Sequence, residues 1–334
     1  LWMRSKPDGW ETIWPPVDTQ TITAKDRLLS RFPPWLPAAF LAGACFVLAG
    51  LPHGDWREGL GHAWLLAPLL AIPLARITVP ERELLVKLGL AAASLAAAVA
   101  LAQWATGRVV TGPFGHHLTL AYALIPPLAT AVARRSWAIA VLLTAGSVAS
   151  GSDAVPISLV VTIVAAAPFT VRLRRAPEIS LAMGVATTCL ALSFFANADE
   201  LRQRAVLWTG GLSIRPGSAG SGGYGTATEV AYDQLSSGFY FPNHAHDSAI
   251  QLYATLGPAG CVAIAVVLAT IFQFGHRAAA AGLAGVLVGG LTQDVLGDLE
   301  VARAVWVWTA LLAMSPSPAE PHGGTSGLRV NPAG

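Results

Sequence analysis

The sequence predicts an all-α fold: a polytopic transmembrane helical bundle of about ten spans with one large loop on the outer face. Three observations lead there. Charge is scarce, long apolar stretches recur, and basic residues alternate between the segments that join them. Of 334 residues, 54% are hydrophobic and 12% charged, and mean hydropathy is +0.55. A water-soluble domain carries about 25% charged residues, so this chain has too little polar surface to cover a globule in water. The formal net charge of +2 argues against a nucleic-acid partner. Cys45, Cys189 and Cys261 lie in apolar runs at spacings that match no metal or redox motif, and read as small buried hydrophobes.

A helix crossing about 30 Å of hydrocarbon needs about 20 mostly apolar residues. Ten segments qualify or come close: Pro33–Leu51, Gly59–Thr78, Leu84–Ala105, Leu118–Ala133, Trp137–Ser150, Ala154–Val171, Ile179–Ala196, Ala249–Phe274, Ala278–Leu296 and Val301–Met314. The segments at Trp137 and Val301 are short, and are either re-entrant or extended by flanking residues. Pro126-Pro127, Pro156 and Pro168 are expected to bend their helices by removing backbone donors. The chain thus divides into a polar cytoplasmic lead-in (1–32), spans one to seven (33–196), a large outer loop (197–247), spans eight to ten (248–314) and a disordered cytoplasmic tail (315–334). The lead-in shows no apolar core of the kind a signal peptide carries.

Basic residues test this map independently, because cytoplasmic loops are enriched in Lys and Arg. With the N-terminus inside, the inner segments hold Arg4, Lys6, Lys25, Arg27, Arg31, Arg76, Arg82, Lys87, Arg134, Arg135, Arg172, Arg174, Arg175, Arg277 and Arg329. The outer segments hold Arg57, Arg108, Arg202, Arg204, Arg215 and Arg303, three of them in the one long loop. Every short loop alternates correctly, which places both termini in the cytoplasm.

The large loop gathers groups suited to phosphate chemistry. Arg202 and Arg204 stand near its start, and Asn243-His244-Ala245-His246-Asp247 closes it just before a membrane helix. Arginine stays charged and presents a fork of donors that matches phosphate oxygens. Histidine exchanges a proton near neutrality. Between them lie Gly217, Gly220, Gly222, Gly223 and Gly225, whose successive N–H groups are able to form an anion-binding nest. Within the loop, Leu201, Ala205, Leu207, Trp208 and Leu212 are spaced for one face of an amphipathic helix over Glu200–Ile214. Read singly, each part has an ordinary explanation: arginines that touch lipid phosphates, a flexible linker, helix-capping histidines. Their order along one loop is more informative.

That order carries a resemblance. Arg204-x-x-x-Trp208, then Gly222-Gly223-Tyr224-Gly225, then His244-Ala245-His246-Asp247 followed by Gln251 and Thr255-Leu256-Gly257-Pro258-Ala259-Gly260, is similar to the C-terminal pattern of the O-antigen ligase/polymerase family. Upstream, Thr111-Gly112-Pro113-Phe114-Gly115-His116-His117 resembles that family's Gly-x-Phe-Gly segment, so the likeness runs from about Thr111 to Met314. Asp247 stands where the family usually has Asn, and Thr255 where it often has Glu. Ser150-Gly151-Ser152-Asp153 stands where the family commonly carries a Ser-Arg pair.

The resemblance implies a multi-pass bacterial inner-membrane glycosyltransferase of lipopolysaccharide or other cell-envelope polysaccharide biosynthesis. Such an enzyme moves a glycan from an undecaprenyl-diphosphate carrier to a lipid, glycan or protein acceptor on the periplasmic face. It implies His246 and Arg204 as catalytic residues, with the donor diphosphate bound by Arg204, Arg215, Arg202 and Arg108 and support from His244, Asp247, Gln251, Gly223, Gly225 and Asp294. No metal, cofactor or nucleotide sugar is implied, and membrane lipids are the surrounding partner. The prenyl tail is expected near Leu118–Ala133, with Pro126-Pro127 opening a lipid-facing groove, and Asp294 and Asp298 are expected to pair with Arg303 or a loop arginine. Two other readings remain open: a small-anion transporter, and an inactive scaffold of a polysaccharide-assembly complex, to which the missing Ser-Arg pair points. Sugar, acceptor, linkage, the choice between ligase and polymerase, and oligomeric state are not encoded in any motif identified.

Overall fold

The computed structural model describes residues 35–50, 60, 63–75, 77–152, 155–167, 184, 198–213, 247–274, 276–291, 293, 295–296 and 298–313. Every regular element among them is helical. In chain order these are α1 (Leu36–Gly50), a 3-10 turn (Trp64–Leu66), α2 (Ala67–Leu74), α3 (Val79–Ala105), α4 (His117–Ala123), α5 (Ile125–Ala133) and α6 (Trp137–Val148). They are followed by α7 (Val155–Ala166), α8 (Ala198–Ser213), α9 (Ser248–Phe274), α10 (Arg277–Gly290) and α11 (Leu299–Ala313). The apolar segments expected from the sequence reappear as helices wherever residues are described. The Ile179–Ala196 segment lies outside them.

Local chemistry sets several boundaries. Thr78 and Glu81 form a capping box at the start of α3: the Glu81 carboxylate accepts from the Thr78 backbone N–H at 2.8 Å and from its hydroxyl at 2.7 Å. Pro156 falls in the first turn of α7 and Pro126-Pro127 in the first turn of α5, where a missing N–H costs nothing. Pro156 therefore begins a helix rather than bending one, whereas the expected Leu118–Ala133 span is interrupted at Leu124, just before Pro126-Pro127, into two short helices; Pro168 lies outside the described residues. A further break, not expected from the sequence, lies in α9 at Gly257-Pro258, where Gly257 has φ 68° and Pro258 has no N–H to donate.

Two helices, Val79–Ala105 and Ser248–Gln273, are long and apolar enough to cross a membrane by length and composition; the other apolar helices are shorter. The packing adds a second observation. Residues 119–132 of α4 and α5 are buried throughout, and α10 is nearly so. The flanking helices turn large apolar side chains outward: Leu84, Leu88 and Leu95 on α3, Val141 on α6, Val160 on α7 and Val262 on α9. Soluble monomers rarely expose apolar surface on this scale. Trp104 and Trp137, at opposite ends of the bundle, are also exposed, as aromatic residues are at the two boundaries of a bilayer.

Small residues bring the central helices together. A Cβ on Gly285 would overlap the Thr162 hydroxyl of α7, one on Gly289 would overlap the Tyr122 ring of α4, and one on Gly282 would lie 3.0 Å from Pro126 Cα of α5. Gly285 and Gly289 are four residues apart on one face of α10, the small-residue spacing that lets membrane helices approach closely. Helices α3 and α5 run antiparallel, as do α7 and α10. At one end, Arg134 after α5 pairs with Glu83 of α3 at 2.8 Å, and Arg277 Nε of α10 donates to the Ala165 carbonyl of α7 at 2.8 Å. At the other end lie the first turn of α4, the first turn of α9 and the last turn of α10. We refer to these as the Arg134 end and the Ser248 end.

The burial of α4 and α5 corrects one expectation. Leu118–Ala133 forms the centre of the bundle, and Pro126 and Pro127 are buried, so no lipid-facing groove opens there.

Candidate functional site

The Ser248 end collects buried polar groups from several helices. Asp247 caps α9: its Oδ1 accepts from the N–H of Ala249 at 2.8 Å and of Ile250 at 2.9 Å, as an N-cap aspartate does. Its carbonyl accepts from the N–H of Gln251 at 2.9 Å, which seats half-buried Gln251 in the first turn. The next residue ties α9 to the segment after α10. The Ser248 hydroxyl donates to the Gln293 carbonyl at 3.3 Å and accepts from the Leu296 N–H at 3.2 Å. Gly290 leaves room for this contact, since a Cβ there would lie 3.2 Å from Ser248 Oγ.

Arg204 reaches the same place from α8. The helix packs against α9 with Arg204, Leu207 and Trp208 partly buried and Gly210 and Gly211 fully so, while Ala205 and Leu212 are exposed. The amphipathic helix expected over Glu200–Ile214 is present, but its inward face differs from the expected one. Residues 204, 207, 208 and 211 form the inward stripe, and Ala205 and Leu212 belong to the other side. The Arg204-x-x-x-Trp208 spacing thus has a physical meaning: one helical turn places both side chains on the face that meets α9.

The Arg204 guanidinium acts electrostatically on both Asp247 and Tyr122. For Asp247, burial pushes the carboxyl above its ordinary range, and the two cap hydrogen bonds and Arg204 work against that rise. Tyr122, on α4, is almost wholly buried and has Ser158 of α7 beside its hydroxyl. One turn earlier, the Thr119 hydroxyl donates to Asp298 Oδ2, while Asp298 Oδ1 accepts from the N–H groups of Glu300 and Val301 at 3.1 Å. Asp298 therefore caps α11 and fastens it to α4. The ion pair expected with Arg303 does not form there, and Arg303 is exposed.

The loop between α3 and α4 is rigidly held. Gln103 Oε1 accepts from the N–H groups of Thr111 at 3.0 Å and Gly112 at 2.8 Å, and Gly107, Gly112 and Gly115 adopt positive φ, conformations that favour glycine. Exposed Arg108 sits on this loop, and the His116 and His117 rings lie 4.5 Å apart. Burial, and then His116, push His117 below the usual histidine range. At the end of α6, the Ser150 hydroxyl is buried without a hydrogen-bond partner among the described residues.

Of the residues expected to form a site, the structure brings together Arg204, Asp247 and Gln251. Arg108 stands apart on its own loop. His246, His244, Arg215, Gly223, Gly225 and Asp294 lie outside the described residues, as does the side chain of Arg202. Tyr122, Ser158, Ser248 and Gln293 were not singled out by motif reading; a tyrosine within the Leu118–Ala133 apolar run was the available signal. No group of three or more His, Cys, Asp or Glu among the described residues is placed to hold a metal ion. Comparison of the chain with protein-family models, curated proteins and solved structures finds no significant match.

Proposed function

We propose that this chain is a bacterial inner-membrane glycosyltransferase of the O-antigen ligase/polymerase kind, with about ten spans, both termini cytoplasmic and the Ser248 end periplasmic. The observation that carries the reading is the convergence of Arg204 and Asp247, from the two flanks of the large loop, on one buried polar cluster at one end of an apolar bundle. In this reading the donor is a glycan on undecaprenyl diphosphate, and the acceptor is a lipid, glycan or protein hydroxyl. The bond between the anomeric carbon and the phosphate oxygen breaks, and its electron pair stays with the diphosphate. The acceptor oxygen bonds to the anomeric carbon from the opposite face, and its proton passes to His246. Arg204, with Arg202 and Arg215, stabilises the charge that grows on the departing diphosphate, a form of electrostatic catalysis. General-base help of the kind assigned to His246 is worth about 10²–10⁴ in rate. Asp247 caps the start of α9 rather than taking part in proton transfer.

The test is acceptor-dependent release of undecaprenyl diphosphate by the purified protein in nanodiscs, with no metal or nucleotide added. The reading expects release by the wild type and its loss in His246→Ala. No release with donors that known ligases or polymerases consume would overturn it.

The break in α9 favours a second reading, a small-anion transporter. Interrupted membrane helices with a half-helix N-terminus at depth recur at transport sites, and Gly257-Pro258 creates one. Solute uptake into proteoliposomes, unaffected by His246→Ala, separates the two.

A further inference from the structure

Helix α5 closes, at the Arg134 end, in a turn that its sequence does not favour. The Arg135 N–H donates to the Val132 carbonyl at 2.9 Å and the Ser136 N–H to the Ala131 carbonyl at 2.8 Å, the pair of bonds that ends a helix through a left-handed residue. Arg135 is that residue, with φ 57°, and is the one non-glycine of positive φ among the described residues. Glycine adopts this conformation freely, whereas any side chain there is strained. Arg135 is exposed and forms no ion pair with a described residue, so no contact within the bundle offsets the strain.

A second cation stands beside it. Arg134 holds Glu83 of α3 through both carboxylate oxygens, at 2.8 and 2.9 Å. Lys87 follows Glu83 by one helical turn, on the α3 face that meets the α5–α6 turn. It too is exposed and forms no ion pair with a described residue. The two carboxylates at the start of α3 are already engaged, Glu83 by Arg134 and Glu81 by the Thr78 cap. Lys87 and Arg135 are therefore left as positive charge on either side of a fixed ion pair.

Beyond these cations the surface is apolar. Helices α3 and α6 leave the turn in the same direction and stay together, for a Cβ on Gly146 of α6 would lie 2.6 Å from Ala97 Cβ of α3. Leu84, Leu88 and Leu95 on α3, and Trp137 and Val141 on α6, are all more than half exposed. Long basic side chains reach the bilayer surface, tryptophan sits at headgroup level, and basic pockets between membrane helices take anionic headgroups. All three features meet here. A zwitterionic headgroup brings its own cation to such a place, and an anionic one does not, so charge complementarity selects the latter.

We propose that Lys87 and Arg135 form a seat for one anionic phospholipid, whose phosphate lies between the two cations and whose acyl chains run along the α3–α6 seam past Trp137. This goes beyond the glycosyltransferase reading and is independent of it, needing only that the bundle lies in a bilayer. The strain at position 135 is tolerated because glycine would leave the seat without one of its cations.

Native mass spectrometry of the full chain, in mild detergent doped with equal amounts of phosphatidylglycerol and phosphatidylcholine, counts the lipid retained. Wild type is expected to retain phosphatidylglycerol in preference. A basic residue beside a headgroup is worth about fivefold in affinity, so Lys87→Gln and Arg135→Gly should each lower that retention by about this factor. Arg135→Gly also relieves the turn, so its thermal midpoint in lipid-free detergent should equal or exceed that of wild type, which separates lost lipid from a lost fold. Arg303→Gln removes an exposed charge from the other end and should retain lipid as wild type does. The soluble headgroup glycerophosphoglycerol should not displace the lipid at equal concentration. Equal retention of the two lipids by wild type, undiminished retention of phosphatidylglycerol in Arg135→Gly, a matching loss in Arg303→Gln, or displacement by the soluble headgroup would each overturn the proposal.

Discussion

At the Arg134 end of the bundle, charged groups meet near water. Glu83 and Arg134 pair while both remain over 30% exposed, and Lys87 and Arg135 are exposed beside them. At the Ser248 end, polar groups are driven inward: Asp247, Ser248 and Thr119 are all less than 10% exposed, with Tyr122 deeper still. The same helices run between these ends, so the contrast does not arise from helix type. Exposed pairs contribute little to stability, and buried polar groups are costly unless fully satisfied. Arg82 of α3 is buried at the Arg134 end as well, so the contrast is one of degree: the Ser248 end gathers its buried polar groups from several helices.

The contrast predicts unequal sensitivity. The largest structural effect is expected for Gly289→Ala, whose methyl group would overlap the Tyr122 ring; overpacking of this kind costs about 1–3 kcal/mol. Thermal unfolding in detergent checks it, and a mutant as stable as wild type would show that the Ser248 end is looser than described. Ser248→Ala comes next. It strands the buried Leu296 N–H, a loss of about 1–3 kcal/mol, visible in the same assay and in faster amide exchange after α10.

The smallest effects are in pH dependence, and they have opposite signs at the two ends. Arg134, as a hydrogen-bond partner, holds the Glu83 carboxyl below its ordinary value of 4.5. Its stabilisation is therefore present above that value and is lost as pH falls through the lowered one. Glu83→Gln should remove this acid-side loss and cost at most about 1 kcal/mol at neutral pH. Burial raises Asp247 above 3.8, so its charged form weighs against the fold. Its contribution is most favourable below that value and declines as pH rises through the raised one. Asp247→Asn keeps a capping side chain and should flatten that decline. A scan of thermal midpoint against pH in both variants decides the matter, and identical profiles would erase the difference between the ends.

Much of the helical frame was legible in the sequence because apolar runs, caps and breakers act locally. The Ala249–Phe274 run and α9 agree to within one residue at each end. What was not legible depended on partners. Pro126-Pro127 read as a kink facing lipid, since nothing in the run reveals that α10 and α7 cover it through Gly282 and Gly285. Asp298 read as an ion-pair partner for Arg303, because its actual partner, Thr119, is far away in sequence. In the site, Arg204 and Asp247 stood out through charge and order. Tyr122 did not, since a tyrosine in an apolar stretch resembles core until the neighbouring helices show what faces its hydroxyl.

The most direct test compares one arginine from each end. Transfer of glycan from an undecaprenyl-diphosphate donor would be measured for Arg204→Ala and Arg134→Ala, both confirmed to insert and fold. The account predicts that Arg204→Ala lowers the rate by about 10²-fold or more, the scale of losing a donor aimed at developing charge. It predicts that Arg134→Ala stays near wild type, as an exposed pair permits. Equal losses in the two mutants, or full activity in Arg204→Ala, would contradict it.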